Sequence, residues 1–343
     1  MHRSEKLLGI QFCRGIAALL VVLYHAGRML ALPQYLGHIA AGGIFNFGNA
    51  GVDFFFVLSG FIISFVHGRD VGQPSRLPAY IWSRLTRIYP PYWFVTAIVV
   101  ALAIAANDTA VLEPVHLVKS ILLVPQAREP VLQVGWTLVY EMLFYALFAI
   151  AIASRTAAGV VAAAWVASIV AAMFLVPRES PFYSVASYQI QFALGVAIAF
   201  AVRRRIFPLP AILACLGLAA FALAAYSLDT HAIVYASMEC RCLLGLASAL
   251  IIYGVARLET EGRLKVAAAP AFLGSASYSI YLVHTIAIGL FAKLLVLTHL
   301  MTAMAPNAIF FLTACVAAAC GGVLYLVVER PMLGFAKAHA PSR

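Results

Sequence analysis

The sequence predicts an all-α fold: a polytopic transmembrane helical bundle of about ten spans, with N- and C-termini cytoplasmic. Three observations carry this. Hydrophobic residues make up 64% of the 343-residue chain and charged residues only 10%, against about 25% charged in an average soluble domain, so no water-facing surface could be assembled from it. The apolar residues come in runs of about 20, the length of helix that crosses a bilayer core. The basic residues fall in alternate loops, the pattern that sets membrane orientation.

The spans lie near residues 9–30, 49–67, 91–107, 136–154, 157–176, 186–203, 209–227, 233–256, 275–297 and 306–328. The first follows a short basic start, as a signal peptide would, but it contains Arg14 and His25 and no small-residue cleavage site follows, so it reads as an uncleaved helix. Pro90 and Pro91 shorten the third, and a turn at Ser154 and Arg155 separates the fourth from the fifth. Two loops exceed a tight turn. The inner loop 68–90 is basic and leads into YIWSRLTRIYPPYW; the outer loop 108–135 holds Pro114, Pro125 and Pro130 around LVKSILLV, which is too short to span and reads as re-entrant or interfacial. Residues 1–343 are expected to form a single membrane-embedded domain.

The formal net charge of +10 is explained by topology, with no nucleic-acid partner required. Of 23 basic residues, 16 fall on inner segments: Arg3, Lys6, Arg69, Arg76, Arg84, Arg87, Arg155, Arg203, Arg204, Arg205, Arg257, Arg263, Lys265, Arg330, Lys337 and Arg343. Only Lys119, Arg128 and Arg178 fall outside, and a shift of one span would scramble this asymmetry. The six cysteines lie in or beside apolar stretches, and Cys240 and Cys242 are one residue apart without a histidine cluster, so neither a disulfide framework nor a metal site is expected.

Ionisable groups inside spans are costly and mark functional positions. Arg14 and His25 are separated by 11 residues of one helix, about 20° past three full turns, so both face the same way roughly 16 Å apart. Asp53, at the outer start of the second span, reads as a helix cap. Glu141 lies in the fourth span, with Tyr145 one turn on and Trp136 at the interface. Tyr281 and His284 share a face of the ninth span. Glu239 and Arg241 open the eighth, where an internal ion pair with another span is expected. Arg84 and Arg87 share a face at the inner interface, where guanidinium groups are suited to grip phosphate. Two classes of function fit: an enzyme with a cytosolic anionic donor and a base within the membrane, or a proton-coupled or anion transporter of a glycan-related substrate.

At these motifs the chain resembles the membrane acyltransferase-3 family, which O-acylates bacterial surface glycans. RGIAALLVVLYH is similar to the family's Arg-x10-His first helix and GVDFFFVLSGFIIS to its second-helix motif. SRLTRIYPPYW, GWTLVYEMLFY, LGSASYSIYLVH and the terminal VERP follow in the family's order. Tyr140 before Glu141 and RCLLGLASALIIYGVARLE make the branch associated with exopolysaccharide acetylation resemble it most. Gln11-Phe12-Cys13 departs from the usual lead into the arginine, and the extracytoplasmic esterase-like domain that many members carry is not expected here.

The resemblance implies an inner (plasma) membrane O-acetyltransferase that uses acetyl-CoA and acts on a glycan or lipid-linked saccharide. Arg14, Arg84 and Arg87 would bind the donor phosphates. His25 would be the base for the acceptor hydroxyl, with Glu141 its partner if the fourth span packs near the first. Trp136, Tyr145, Tyr281 and His284 would line the acceptor side.

Overall fold

The computed structural model describes residues 7–177, 180–229, 234–235 and 237–341. Arg3, Lys6, Arg178 and Arg343, counted above in the charge asymmetry, lie outside the described residues. Regular structure among the described residues is helical throughout. The long helices are α1 (Leu8–Leu30), α2 (Ala50–His67) and α3 (Leu77–Ala105). The eight-residue α4 (Pro114–Ile121) precedes α5 (Trp136–Ala153), α6 (Arg155–Leu175) and α7 (Pro181–Arg204). Next come α8 (Pro210–Asp229), α9 (Met238–Thr260), α10 (Ala268–Leu297), the single turn α11 (Leu300–Ala303) and α12 (Pro306–Leu324). A π-turn, Tyr325–Glu329, joins α12 to α13 (Arg330–Ala338). Ten helical segments among the described residues are long and apolar enough to cross a membrane.

The number of spans agrees with the sequence reading; some bounds do not. The third span starts at Leu77 and not near 91, because α3 runs unbroken through Pro90 and Pro91. Arg84 and Arg87 therefore lie in the first half of one continuous helix that leads into the third span. A helix-interior proline loses one backbone hydrogen bond, but within a bilayer the alternatives to helix are costlier still. Contacts also hold α3 on both sides of the prolines. Below them, Tyr80 donates to Tyr145 O and Trp82 Nε1 to Ala336 O. Immediately before them Tyr89 donates to Leu122 O, and beyond them Tyr92 and Trp93 donate to Ser120 O and Ile121 O. The last span, placed at 306–328, likewise extends to Ala338.

The chain divides into two compact units. The first comprises the chain up to Val66 and Ile169–Gly322; the second comprises His67–Ser168 and the chain from Val323 onward. In the first unit, glycines let helix backbones touch. A Cβ on Gly274 would lie 1.9 Å from Gln11 O, and one on Gly15 2.7 Å from Leu273, so α1 and α10 meet with almost no space between them. Gly60 and Gly195 do the same for α2 and α7, and Gly217 and Gly254 for α8 and α9. The order of facing residues gives directions. α1 runs antiparallel to α2, with Gly48 on Leu20 and Gly51 on Ala17. It runs parallel to α10, with Gln11 on Gly274 and Arg14 on Ser277. These directions are the ones that alternation requires of spans one, two and nine. Glu259 of α9 accepts from Gly9 N at 2.9 Å, which satisfies an orphan donor at the start of α1.

The second unit is built on α3. α5 runs antiparallel to it, with Tyr80 bonded to Tyr145 O and Tyr92 against Gly135. The LVKSILLV stretch forms α4, too short to span. Glu113 caps its start by accepting from Val115 N and His116 N, and the three aromatic donors of YPPYW take up carbonyls at its end.

Candidate active site

Polar side chains gather at three places. The first is the α1–α10 contact. Arg14 Nε donates to Ser277 Oγ at 2.8 Å, and the Ser277 hydroxyl donates in turn to Gly274 O at 2.8 Å. Farther along the same pair of helices, the His25 and His284 rings meet edge-on with centroids 4.8 Å apart. Val21 O lies 2.9 Å from His25 Nδ1 and can only accept, so it fixes the proton on Nδ1. Tyr281 O fixes the His284 proton on Nδ1 in the same way, at 2.7 Å. The Nε2 lone pair of His284 then points at His25 Nδ1, 3.3 Å away, and shares its proton with Val21.

This tautomer leaves His25 Nε2 as a lone pair, and no described residue bonds to it. His25 is half-buried, whereas His284 is fully buried. The pair therefore presents one ring nitrogen with no described bond and a buried histidine behind it. When His25 Nε2 takes a proton, its Nδ1–H donates more strongly to Val21 O and to His284, which spreads the new charge. Tyr281 is buried beside the pair, its ring 5.6 Å from that of His284 and 6.1 Å from that of Phe55.

The second place is in the second unit. Glu141 accepts from the Tyr145 hydroxyl at 2.5 Å. The Tyr145 ring carries the Arg84 guanidinium 5.8 Å from its centroid. Arg84 also donates to Ser83 Oγ, and no described carboxylate pairs with it. Arg87, by contrast, is paired with Glu329, NH1 to Oε1 at 2.5 Å. Trp136 is half-buried, with its ring edge-on to Tyr140 at 5.7 Å. Of the sequence-predicted residues, then, the first unit brings together His25, Tyr281 and His284, with Arg14 farther along the same helix pair at Ser277, and the second brings together Arg84, Glu141 and Tyr145. Within the first unit His25 Nδ1 meets Val21 O and His284 Nε2; within the second, Glu141 accepts from Tyr145.

The third place is a buried network at the ends of α2 and α9. Arg241 NH1 donates to Asp53 Oδ1 at 2.7 Å and its NH2 to Tyr188 Oη at 2.7 Å. The guanidinium lies 4.2 Å and 3.9 Å from the centroids of the Tyr188 and Tyr235 rings. Tyr235 donates to Asp53 Oδ2 at 2.7 Å, and Gln191 donates to Oδ1. Asp53, read from sequence as a helix cap, is instead one side of the ion pair expected for Arg241. Glu329, Ser277 and Tyr188 were not singled out from sequence. Glu329 stood in view within VERP, and Ser277 within LGSASYSIYLVH. Among the described residues no group of three His, Cys, Asp or Glu side chains could hold a metal ion.

An acyltransferase domain model, that of the acyltransferase-3 family, matches residues 7–327. The exopolysaccharide production protein ExoZ of Rhizobium meliloti (strain 1021) is 33% identical over 307 residues, which cover 85% of this chain and 92% of the relative. A protein described as protein 2 in the picA locus of Rhizobium radiobacter is 28% identical over 98 residues, covering 28% of this chain and 46% of that relative. No solved structure matches. With a family model spanning the chain from α1 into the π-turn, the protein belongs to the acyltransferase-3 family of membrane acyltransferases.

Proposed function

We propose that the protein moves an acyl group, acetyl by preference, from acyl-CoA to a hydroxyl of an exported or surface glycan. The observation that carries this is the His25–His284 pair, a one-sided base within a membrane helix. The likeness to a protein named for exopolysaccharide production supports a glycan acceptor. The distribution of basic residues supports a bacterial inner membrane with both termini cytoplasmic.

In the reaction the acceptor hydroxyl gives its proton to His25 Nε2 as its oxygen attacks the thioester carbonyl. The carbon–sulfur bond then breaks, and the imidazolium returns the proton to the departing thiolate, leaving the glycan ester and free CoA. His284 holds the His25 tautomer and shares the charge that forms there. Arg14, Arg84 and Arg87 bind the donor's phosphates; Glu141 holds Tyr145, which carries Arg84. Trp136, Tyr281 and Tyr145 line the path of the acceptor.

The test is transfer of label from acetyl-CoA carrying a radioactive acetyl group to glycan, in membranes with and without the protein. Label that depends on the protein supports the reading. Movement of glycan across vesicles without donor and without ester formation would replace it with transport.

A further inference from the structure

The sequence motif that the chemistry above leaves unused is VERP, and the structure gives it a partner. Glu329 is fully buried, and its carboxylate meets Arg87 NH1, whose side chain keeps 25% of its surface open. The pair is thus sealed on the acid side and open on the guanidinium side. Glu329 closes the five-residue π-turn Tyr325–Glu329. A π-turn puts one extra residue into the helix and so rotates every following side chain by about 100°. Glu329, the last residue of that turn, reaches Arg87 of α3; Trp82 Nε1, donating to Ala336 O at 2.9 Å, ties the next turns to the same helix. Apolar side chains of similar volume often stabilise a fold as well as a buried ion pair does, so the pair by itself is weak evidence of a purely stabilising role.

We infer that Glu329 is a positioning residue that sets the Arg87 guanidinium fork for the acyl donor's phosphates. The inference rests on the proposed function, in which Arg87 contacts the donor. Arg84, without a described carboxylate partner, supplies net positive charge. Arg87, offset by Glu329, supplies geometry: the bond from NH1 to the buried carboxylate fixes the plane of the guanidinium fork.

Charge and geometry predict opposite signs for one substitution. Glu329→Gln leaves the site one unit more positive. If attraction alone mattered, the donor KM would fall. If Glu329 positions Arg87, the donor KM rises on the order of tenfold, the scale of one charge-assisted hydrogen bond, with kcat and the acceptor KM within about twofold. The charge-reversed double variant R87E/E329R controls for folding, because it keeps a buried pair. It should recover thermal stability lost in Glu329→Gln while its donor KM rises further. A donor KM unchanged or lowered in Glu329→Gln overturns the inference, as does a double variant with both stability and donor KM restored. Absence of transfer by the wild-type protein would instead fall on the proposed function.

Discussion

Replacement of His284 by alanine tests the imidazole pair. His284 Nε2 lies 3.3 Å from His25 Nδ1, while Val21 O already takes the same proton at 2.9 Å. His284 is thus the longer branch of a forked hydrogen bond. Bonds to charged groups contribute about 1.5–3 kcal/mol, and the longer branch belongs at the low end, about 1.5 kcal/mol, or about tenfold in rate. The full interaction exists only while His25 is an imidazolium, so the loss falls on kcat and leaves the donor KM in place. His284→Gln, which keeps a carbonyl acceptor and most of the volume, should lose less. The assay is single-turnover acyl transfer at saturating donor, with the protein in lipid nanodiscs and its melting checked in parallel. A folded His284→Ala protein within twofold of wild type would refute the charge-sharing role. A loss as deep as that from removing His25 would make His284 itself the base.

Other substitutions probe what holds the site. Gly274→Val forces a side chain into Gln11 O, 1.9 Å from where its Cβ must go, so it should part α1 from α10 and abolish transfer; Gly289→Ala, with nothing within 4 Å, should be silent in the same assay. Asp53→Ala and Arg241→Ala should each lower stability by about 3–5 kcal/mol by stranding a buried charge, and the double variant should cost clearly less than their sum in detergent unfolding. Tyr89→Phe and Trp93→Phe should each loosen α4 by about 1 kcal/mol, read as faster amide exchange over residues 114–124, with transfer less affected than that exchange.

The number of spans and their alternation are legible in the sequence, because apolar run length and basic loops report directly on the bilayer. The candidate residues are legible for the same reason: Arg14, His25, Glu141 and His284 are polar where lipid penalises polarity. Their partners are not legible. His25 and His284 are 259 residues apart, and Asp53 and Arg241 are 188 apart, and no local pattern links such positions. The glycines of the α1–α10 contact draw the histidines together, but a lone glycine in an apolar run does not announce its partner. Pro90 and Pro91 mislead about α3, since local propensity argues for a break and tertiary contacts on both sides overrule it. The π-turn at Glu329 escapes any reading based on a constant helical period.

The most direct test of His25 as the base is donor-dependent acylation by purified His25→Ala protein in nanodiscs, with donor binding measured on the same sample. Loss of a positioned base should lower transfer by about 10²–10⁴-fold with donor affinity within a fewfold of wild type. A folded His25→Ala protein that transfers at the wild-type rate would contradict the account.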